Sequence, residues 1–184
     1  MSVRKIFLVL SITIVATLFS CMSAPVNNSY KANDSLISAA HFGTYADVEA
    51  ALKSGTNIDQ KNEYDVTPLM FAVNNKDLSI AKLLIEKGAN VNAEANGSFT
   101  PLFYAVENNR DEIIEVIQLL VAKGADLEHK NYKGQTVLLY AAEMNSNTNV
   151  INALIEMGAD IKAIDNKGNG YEYYLALPNK GKIY

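Results

Sequence analysis

The stretch TPLMFAVNNKDLSIAKLLIEKGANVN, residues 67–92, decides the fold of this chain. It contains two short runs with apolar residues at helical spacing, separated by the polar segment Asn74–Asp77. Thr67 and Pro68 suit the start of the first helix, because threonine can cap free N–H groups and proline fits the first turn. Gly88 suits the end of the second helix, because glycine adopts the left-handed conformation that follows many helices. The stretch therefore predicts a pair of helices.

The same plan occurs at three other places in the chain. TPLFYAVENNRDEIIEVIQLLVAKGADLE begins at Thr100, TVLLYAAEMNSNTNVINALIEMGADIK at Thr136, and the weaker copy DSLISAAHFGTYADVEAALKSGTNID at Asp34. The glycines that close the four copies are separated by 33, 36 and 34 residues: Gly55, Gly88, Gly124 and Gly158. A fixed period of this size is the sequence signature of a solenoid.

These motifs resemble the ankyrin-repeat family. The resemblance is carried by Thr-Pro-Leu at 67–69 and 100–102 and by the glycine-led closings at 88–92, 124–128 and 158–162. It implies an all-α fold, a solenoid of stacked antiparallel helix pairs with short hairpin loops. Two departures stand out: Met70, Phe103 and Leu139 replace the family's histidine, and Val137 replaces the proline of the third match.

The resemblance divides the chain from residue 34 onwards into repeats. We expect them at about 34–62, 63–94, 95–130 and 131–164, with a C-terminal half-repeat at 165–184. Three extra residues fall between the helices of repeat three, near Asn108–Glu112, and we interpret them as a neutral insertion or a recognition loop. In the half-repeat, Tyr171, Tyr173 and Tyr174 are predicted to cover the end of the stack.

The first twenty residues, 1–20, predict an export signal peptide. Arg4 and Lys5 precede an apolar run from Ile6 to Phe19, which is shorter than the roughly 20 residues that span a bilayer. Cys21, the only cysteine of the chain, follows this run. The arrangement is similar to the bacterial lipoprotein signal, in which a lipid-modified cysteine becomes the mature N-terminus. The alternatives are an ordinary cleaved signal and an uncleaved anchor helix.

Residues 21–33 have no apolar periodicity, and we expect a lipidated N-terminus followed by a flexible tether. The implied location is the cell envelope, with the lipid anchor in a bacterial membrane and the repeats facing the periplasm or the exterior. A cut near Ser23–Ala24 would instead release a secreted, unlipidated protein. A single cysteine also excludes an intramolecular disulfide.

Composition and motifs argue against several classes of function. The net charge is −4, with no stripe of lysine or arginine, which argues against binding to nucleic acid. The two histidines, His41 and His129, are 88 residues apart, and no metal-ligand spacing, nucleophile–base pair or phosphate loop is found. We expect no enzyme activity, cofactor, metal or small-molecule substrate.

The resemblance implies a protein partner, bound through the hairpin tips and the exposed face of the first helix of each repeat. On the tips, the candidate residues are Glu63, Tyr64, Val66, Asn96, Phe99, Tyr132, Lys133 and Gln135. On the first helices, they are Met70, Asn74, Phe103, Glu107, Leu139 and Glu143. The rings of Tyr64, Phe99 and Tyr132 would either act as binding hot spots or pack against the neighbouring hairpin.

Two functional hypotheses follow from the sequence. The first is a non-catalytic protein–protein interaction module, lipid-anchored in the bacterial cell envelope. The alternative is a secreted, unlipidated protein of the same fold that acts on an external or host protein.

Overall fold

The computed structural model describes residues 35–108, 110–144 and 147–177. They form a row of short helices: α1 (Ser35–Phe42), α2 (Tyr45–Lys53), α3 (Pro68–Ala72), α4 (Ser79–Glu86), α5 (Pro101–Val106), α6 (Ile113–Ala122), α7 (Val137–Glu143), α8 (Thr148–Glu156) and α9 (Tyr171–Ala176). Within these ranges the only β-structure consists of two isolated bridges, Ala95 with Phe99 and Ile164 with Gly170. The predicted all-α solenoid is confirmed. The predicted signal peptide, Cys21, the tether and residues 178–184 lie outside the described residues.

The helices form two layers. In one layer each first helix packs on the next, in the order α1, α3, α5, α7 and α9. In the other, the second helices α2, α4, α6 and α8 follow one another in the same way. The core between the layers is made of fully buried aliphatic side chains, among them Leu69, Ile80, Leu84, Leu102, Ile113, Ile117, Leu120 and Leu138. Each buried CH₂ group stabilises the fold by about 0.8 kcal/mol, and this burial between neighbours holds such repeats together.

The threonines mark the starts of the first helices by backbone conformation. Thr67 has φ −93° and ψ 163°, which is extended backbone, and the helix begins at Pro68. Thr67 and Met70 are arranged as in a capping box, but the predicted cap at Thr67 lacks its hydrogen bond, because Oγ1 has no partner among the described residues. Thr100 likewise makes no side-chain cap bond. Proline at the first helical position fixes φ without such a bond. Thr136, which precedes Val137, does accept a hydrogen bond from the backbone N–H of Leu139.

The glycines that follow the second helices behave as predicted. Gly55, Gly88, Gly124 and Gly158 have φ values of 83°, 88°, 90° and 98°. This left-handed conformation is strained for residues that carry a Cβ atom, so the positions favour glycine. It turns the chain out of each second helix towards the next hairpin.

The segment between the helices of repeat three is no longer than that of repeat two, since residues 107–112 and 73–78 are six residues each. The prediction of three extra residues near Asn108–Glu112 was therefore wrong: they lengthen the helices, because α5 and α6 have 6 and 10 residues where α3 and α4 have 5 and 8.

The segment between α5 and α6 itself packs on repeat two. The Asn108 amide donates to the carbonyl oxygen of Val73 over 2.9 Å, and Asn108 is buried. The guanidinium of Arg110 donates to the carbonyl oxygens of Asn75, at 2.6 Å, and Lys76, at 3.1 Å. These bonds satisfy carbonyl groups next to the end of α3 that the helix itself leaves open. The loop between α5 and α6 thus contributes to the contact between repeats two and three.

Helix α9 closes the stack at its C-terminal end. Tyr174 is buried against Leu139 and Ala142, as its predicted covering role requires. Its hydroxyl donates to Asp165 Oδ2 over 2.6 Å. Tyr173, by contrast, remains 49% exposed, so the covering role is wrong for that residue, which points away from the buried face.

Candidate interaction surface

The hairpin tips stand in a row because their backbones are hydrogen-bonded to one another. The N–H of Asn96 donates to the carbonyl oxygen of Tyr64 over 3.1 Å. In the same way, Tyr132 donates to Gly97 at 3.0 Å and Asn166 donates to Lys133 at 3.1 Å. Each tip is therefore fixed against the tip before it, and the side chains of successive tips share one edge of the array.

A short polar side chain also fixes most tips from within. Asn62 Oδ1 accepts from the N–H groups of Tyr64 and Val66, at 2.9 and 3.0 Å. Asn131 and Asp165 bind the backbone of their own tips in the same way. Repeat three has Ala95 at this position, and its tip turns tightly at Gly97 and Ser98, with φ values of 80° and 59°. All four tips consequently have a defined backbone.

Seven of the fourteen predicted partner-binding residues are exposed: Glu63, Tyr64, Asn74, Asn96, Glu107, Tyr132 and Lys133. Phe99 and Glu143 are half-buried. The rings of Tyr64 and Tyr132 are the most prominent of these, with 59% and 64% of their surface exposed. The accessible part of the predicted surface therefore centres on two tyrosines at the tips and on polar residues at the ends of the first helices.

The other five predicted residues are buried, and the structure removes them from the surface: Val66, Met70, Phe103, Gln135 and Leu139. Hairpin residues cover the third position of the first helix in repeat two, so Met70 lies under Val66, Ala93 and Ala95. Leu139, at the third position of α7, lies instead under Tyr174 of α9. These side chains hold the hairpins onto the helices and offer nothing to a partner.

Gln135 is buried because both ends of its side chain make hydrogen bonds within the protein. Its side-chain carbonyl accepts from the Asn131 amide at 3.0 Å, and its own amide donates to Glu143 Oε2 at 2.8 Å. The side chain thus joins the tip of repeat four to the end of α7. A buried amide with both ends paired is a structural group, which is why Gln135 is not an interaction residue.

Phe99 is the centre of an aromatic cluster, defined as Phe99, Phe103, Tyr104, Tyr132 and Tyr140. Its ring centroid lies 5.4 Å from that of Phe103, 6.5 Å from Tyr104, 6.1 Å from Tyr132 and 5.3 Å from Tyr140. Edge-to-face contacts at these distances are favourable. Of the two interpretations left open for the tip aromatics, packing holds for Phe99 and exposure holds for Tyr64. Tyr132 combines both, because its ring contacts the cluster and remains 64% exposed.

Two members of the cluster were missed by sequence reasoning, Tyr104 and Tyr140. Both stand four residues after the threonine of their repeat, as Phe71 does in repeat two. An aromatic residue at this position in three consecutive repeats is the signal that would have identified them. The hydroxyl of Tyr140 donates to Glu107 Oε1, which links the cluster to a carboxylate.

The carboxylates beside the cluster affect the tyrosine hydroxyls. Burial, followed by the hydrogen bond to Glu107, raises the pKa of Tyr140 well above its usual range. Burial and the charge of Glu107 also raise the pKa of Tyr104. Both phenols therefore remain protonated at neutral pH and act as hydrogen-bond donors or neutral rings. Neither is a candidate nucleophile or base.

The histidine and acidic side chains of the described ranges form no metal site. Within them, no group of three or more histidine, cysteine or acidic side chains is placed to hold a metal ion. His41 stacks on Phe42 and Phe71, and Nε2 of His129 lies 3.0 Å from the carbonyl oxygen of Ser98. Both histidines thus have structural contacts. The described helices are all too short or too polar to span a bilayer.

Comparison with known proteins agrees with this architecture. The family model described as ankyrin repeats (3 copies) matches residues 36–130 and 98–165. Together the two matches cover 36–165, which is more than half of the 184 residues. No curated protein matches the chain. The repeats of this family typically serve as non-enzymatic protein-interaction domains, and the chain belongs to the ankyrin-repeat family.

Proposed function

We propose that the protein is a non-catalytic interaction module that is lipid-anchored in the bacterial cell envelope. In this proposal it binds a protein partner through its hairpin tips and the accessible ends of its first helices. The observation that carries the proposal is the hydrogen-bonded row of tips, which presents the exposed rings of Tyr64 and Tyr132.

The geometry of the tips suits tight binding. Tyrosine supplies a large contact area with few rotatable bonds, and it is enriched among interface hot spots. Because the tip backbones are already fixed by hydrogen bonds, little further ordering is needed when a partner binds. Asn74, Glu107 and Glu143 provide polar groups at the ends of the first helices, where an interface has its rim.

The binding role can be tested by site-specific photo-crosslinking in the native envelope. A photoreactive phenylalanine analogue replaces Tyr64 or Tyr132 in one set of variants. In the control set it replaces Gln118 or Asn152, which are exposed on the second helices α6 and α8. The proposal predicts a discrete crosslinked protein from positions 64 and 132 and none from 118 and 152. Crosslinks of equal yield from all four positions would contradict it.

The anchoring role rests on the sequence of the leader. Arg4 and Lys5, the apolar run and the single Cys21 form the expected pattern of a lipidated precursor. The acyl chains of a lipidated cysteine anchor a protein stably because each buried CH₂ contributes about 0.8 kcal/mol. Cys21 itself lies outside the described residues.

The anchor can be tested by intact mass of the protein purified from its native membrane, beside Cys21→Ala. A mature chain that begins at Cys21 and carries acyl mass supports the proposal, and Cys21→Ala should then leave the membrane fraction. An unmodified chain cut near Ser23–Ala24 and recovered from the medium would favour the alternative. In that case the protein is secreted and acts on an external or host protein.

A further inference from the structure

The hairpin tip of repeat three lacks a hydrogen bond that the other three tips share. In those tips an asparagine or aspartate side chain accepts from the backbone N–H two residues later: Asn62 from Tyr64 at 2.9 Å, Asn131 from Lys133 at 2.9 Å and Asp165 from Lys167 at 2.8 Å. The corresponding residues of repeat three are Ala95 and Gly97, and the alanine side chain carries no acceptor. The N–H group of Gly97 accordingly makes no hydrogen bond with the described residues.

The residue between them, Asn96, has an equally free side chain. Asn96 is exposed, and its side-chain amide makes no hydrogen bond with the described residues. The residue that follows it is a glycine, which has no side chain to shield its own N–H group. Because the two groups belong to neighbouring residues, the backbone nitrogen of Gly97 can reach Cγ of Asn96 by closing a five-membered ring.

The fold itself requires glycine at position 97. Its φ is 80°, in the left-handed region where residues with a Cβ atom are strained. A Cβ atom at this position would also lie 3.1 Å from Cδ1 of Tyr132 and 3.3 Å from the ring of Phe99. The residue that the turn and the neighbouring rings demand is thus the one that leaves Asn96 unprotected.

We propose that Asn96 is a modification site, at which the tip of repeat three undergoes deamidation and isomerisation without an enzyme. The backbone nitrogen of Gly97 loses its proton and attacks Cγ of Asn96, which closes a succinimide ring. The bond between Cγ and Nδ2 breaks, and the amide nitrogen leaves with a proton as ammonia. Water then opens the ring at either carbonyl group and gives aspartate or isoaspartate. One water molecule is consumed, and one negative charge is gained.

The isoaspartate product alters the row of tips. The N–H of Asn96 donates to the carbonyl oxygen of Tyr64 at 3.1 Å, and the carbonyl oxygen of Gly97 accepts from Tyr132 at 3.0 Å. In isoaspartate the backbone runs through Cβ, so one additional CH₂ group lies between these two hydrogen-bonded groups. Both bonds cannot then keep their geometry, and the tips of repeats two and four lose their common register. Weaker partner binding would follow, and that consequence rests on the proposed function, whereas the modification does not.

The chain contains a matched control in its second Asn-Gly pair, Asn169 and Gly170. The side-chain amide of Asn169 donates to Asp165 Oδ2 at 3.1 Å, and its backbone N–H donates to Asp165 Oδ1 at 2.8 Å. The amide must leave this carboxylate before its Cγ can be attacked. Since hydrogen bonds to charged groups are among the stronger ones, Asn169 should react at least about tenfold more slowly than Asn96.

The test is to age the purified full chain in nonionic detergent and to follow both pairs by peptide mapping with mass spectrometry. Fragmentation that separates aspartate from isoaspartate identifies the products. We expect residue 96 to convert to both products at least about tenfold faster than residue 169, and faster still at higher pH, because the attacking nitrogen must lose its proton. Ala95→Asn restores the acceptor of the other tips and should slow conversion at residue 96 about tenfold.

The aged protein also shows whether the tip row has changed. Amide exchange at Tyr132, measured by NMR, should be faster in the isoaspartate fraction than in the fresh protein. Asn96→Asp carries the same added charge on a backbone of normal length, so its exchange at Tyr132 should match that of the fresh protein.

Conversion at residue 96 that is no faster than at residue 169 would overturn the modification site, and this comparison needs no variant. Conversion that Ala95→Asn leaves unchanged, in a folded protein, would overturn the role of the free N–H group. These outcomes differ from failure of the proposed function, which is tested by crosslinks from positions 64 and 132. If residue 96 converts and the crosslinks keep their full yield, the modification stands and its effect on binding does not.

Discussion

The contact between repeats two and three is held mainly at the loop end of the helices, whereas the contact between repeats three and four is held mainly at the hairpin end. We call these contacts the second and the third seam. In the second seam the buried amide of Asn108 binds the carbonyl oxygen of Val73 at 2.9 Å, next to the loop between α3 and α4. In the third seam the corresponding position is Met144, which is 48% exposed and cannot make such a bond.

The third seam is held instead at the hairpin end by the aromatic cluster. Phe103 is 1% exposed, and its ring lies 5.4 Å from that of Tyr140 in the next repeat. At the loop end, Asp111 accepts a hydrogen bond from Asn149 at 3.1 Å in an exposed setting. Two seams with the same backbone plan thus use different chemistry. The seam that depends on rings is also the one that places rings and carboxylates where a partner can reach them.

The largest expected effect comes from removing the buried ring of the third seam. Phe103→Ala leaves a cavity beneath Phe99 and Tyr140, and the free energy of unfolding should fall by about 3–5 kcal/mol. Equilibrium urea unfolding followed by circular dichroism measures it. Tyr132→Ala, which truncates an exposed ring of the same cluster, is the control and should change stability by less than about 0.5 kcal/mol. Similar losses of unfolding free energy in the two variants would show that the buried ring of Phe103 contributes no more to stability than the exposed ring of Tyr132.

A substitution at the loop end of the helices should lower stability clearly in the second seam and only slightly in the third. Asn108→Ala leaves the carbonyl oxygen of Val73 buried without this donor and should cost about 1–3 kcal/mol. Asp111→Ala removes only exposed hydrogen bonds and should cost less than about 0.5 kcal/mol. Urea unfolding of the two variants side by side measures the difference. If Asp111→Ala lowers the free energy of unfolding more than Asn108→Ala does, the loop end stabilises the third seam more than the second, contrary to this account.

A pH-dependent contact extends the comparison to the C-terminal end of the stack. Burial raises the pKa of Asp165, but hydrogen bonds from Tyr174, Asn169 and Lys167 outweigh this and lower it to about 2 from the usual 3.8. A folded-state pKa below the unfolded value stabilises the protein above about pH 3.8, and this contribution is lost as the pH falls towards 2.

Asp165→Asn should therefore destabilise α9 at neutral pH, and the difference from the parent protein should shrink between pH 4 and pH 2. Amide exchange of the residues in α9, followed by NMR across this pH range, gives the measurement. A difference that stays constant over the range would mean that the charge of Asp165 does not contribute.

The smallest effect is expected from the ion pair on the outside of the third seam. Lys133→Ala breaks the contact with Glu143, but the lysine side chain is 41% exposed. Exposed pairs contribute about 0.2–1 kcal/mol, so the melting temperature should shift by only a few degrees. A large loss of stability in thermal unfolding would show that Lys133 contributes to the packing between repeats, and it would argue against a role of Lys133 in surface recognition.

The sequence predicts the local part of this fold well. The spacing of apolar residues, Pro68 and the positive-φ glycine Gly88 each define a helix or its end within a few residues of chain. What it does not predict is long-range contact between repeats. Asn108 lies in a polar stretch, yet it is buried because it binds a carbonyl group 35 residues earlier in the chain.

In the candidate interaction surface, too, the sequence predicts local features and does not predict contacts between repeats. Helical periodicity places Phe103 and Glu107 on one side of α5, since they are four residues apart. It does not reveal that rings of the hairpin and the next repeat cover Phe103 and leave Glu107 open. The link from Tyr140 to Glu107 also spans 33 residues. Such contacts depend on how repeats stack, which composition and local spacing do not contain.

Hydrogen–deuterium exchange of the protein with and without its crosslinked partner tests the central claim most directly. The account predicts slower exchange at the tips, residues 62–66 and 131–135, and at the C-terminal ends of α5 and α7. Exchange in α4, α6 and α8 should not change. Protection confined to the second helices, with no change at the tips, would contradict the account, because the partner would then bind the opposite face of the array.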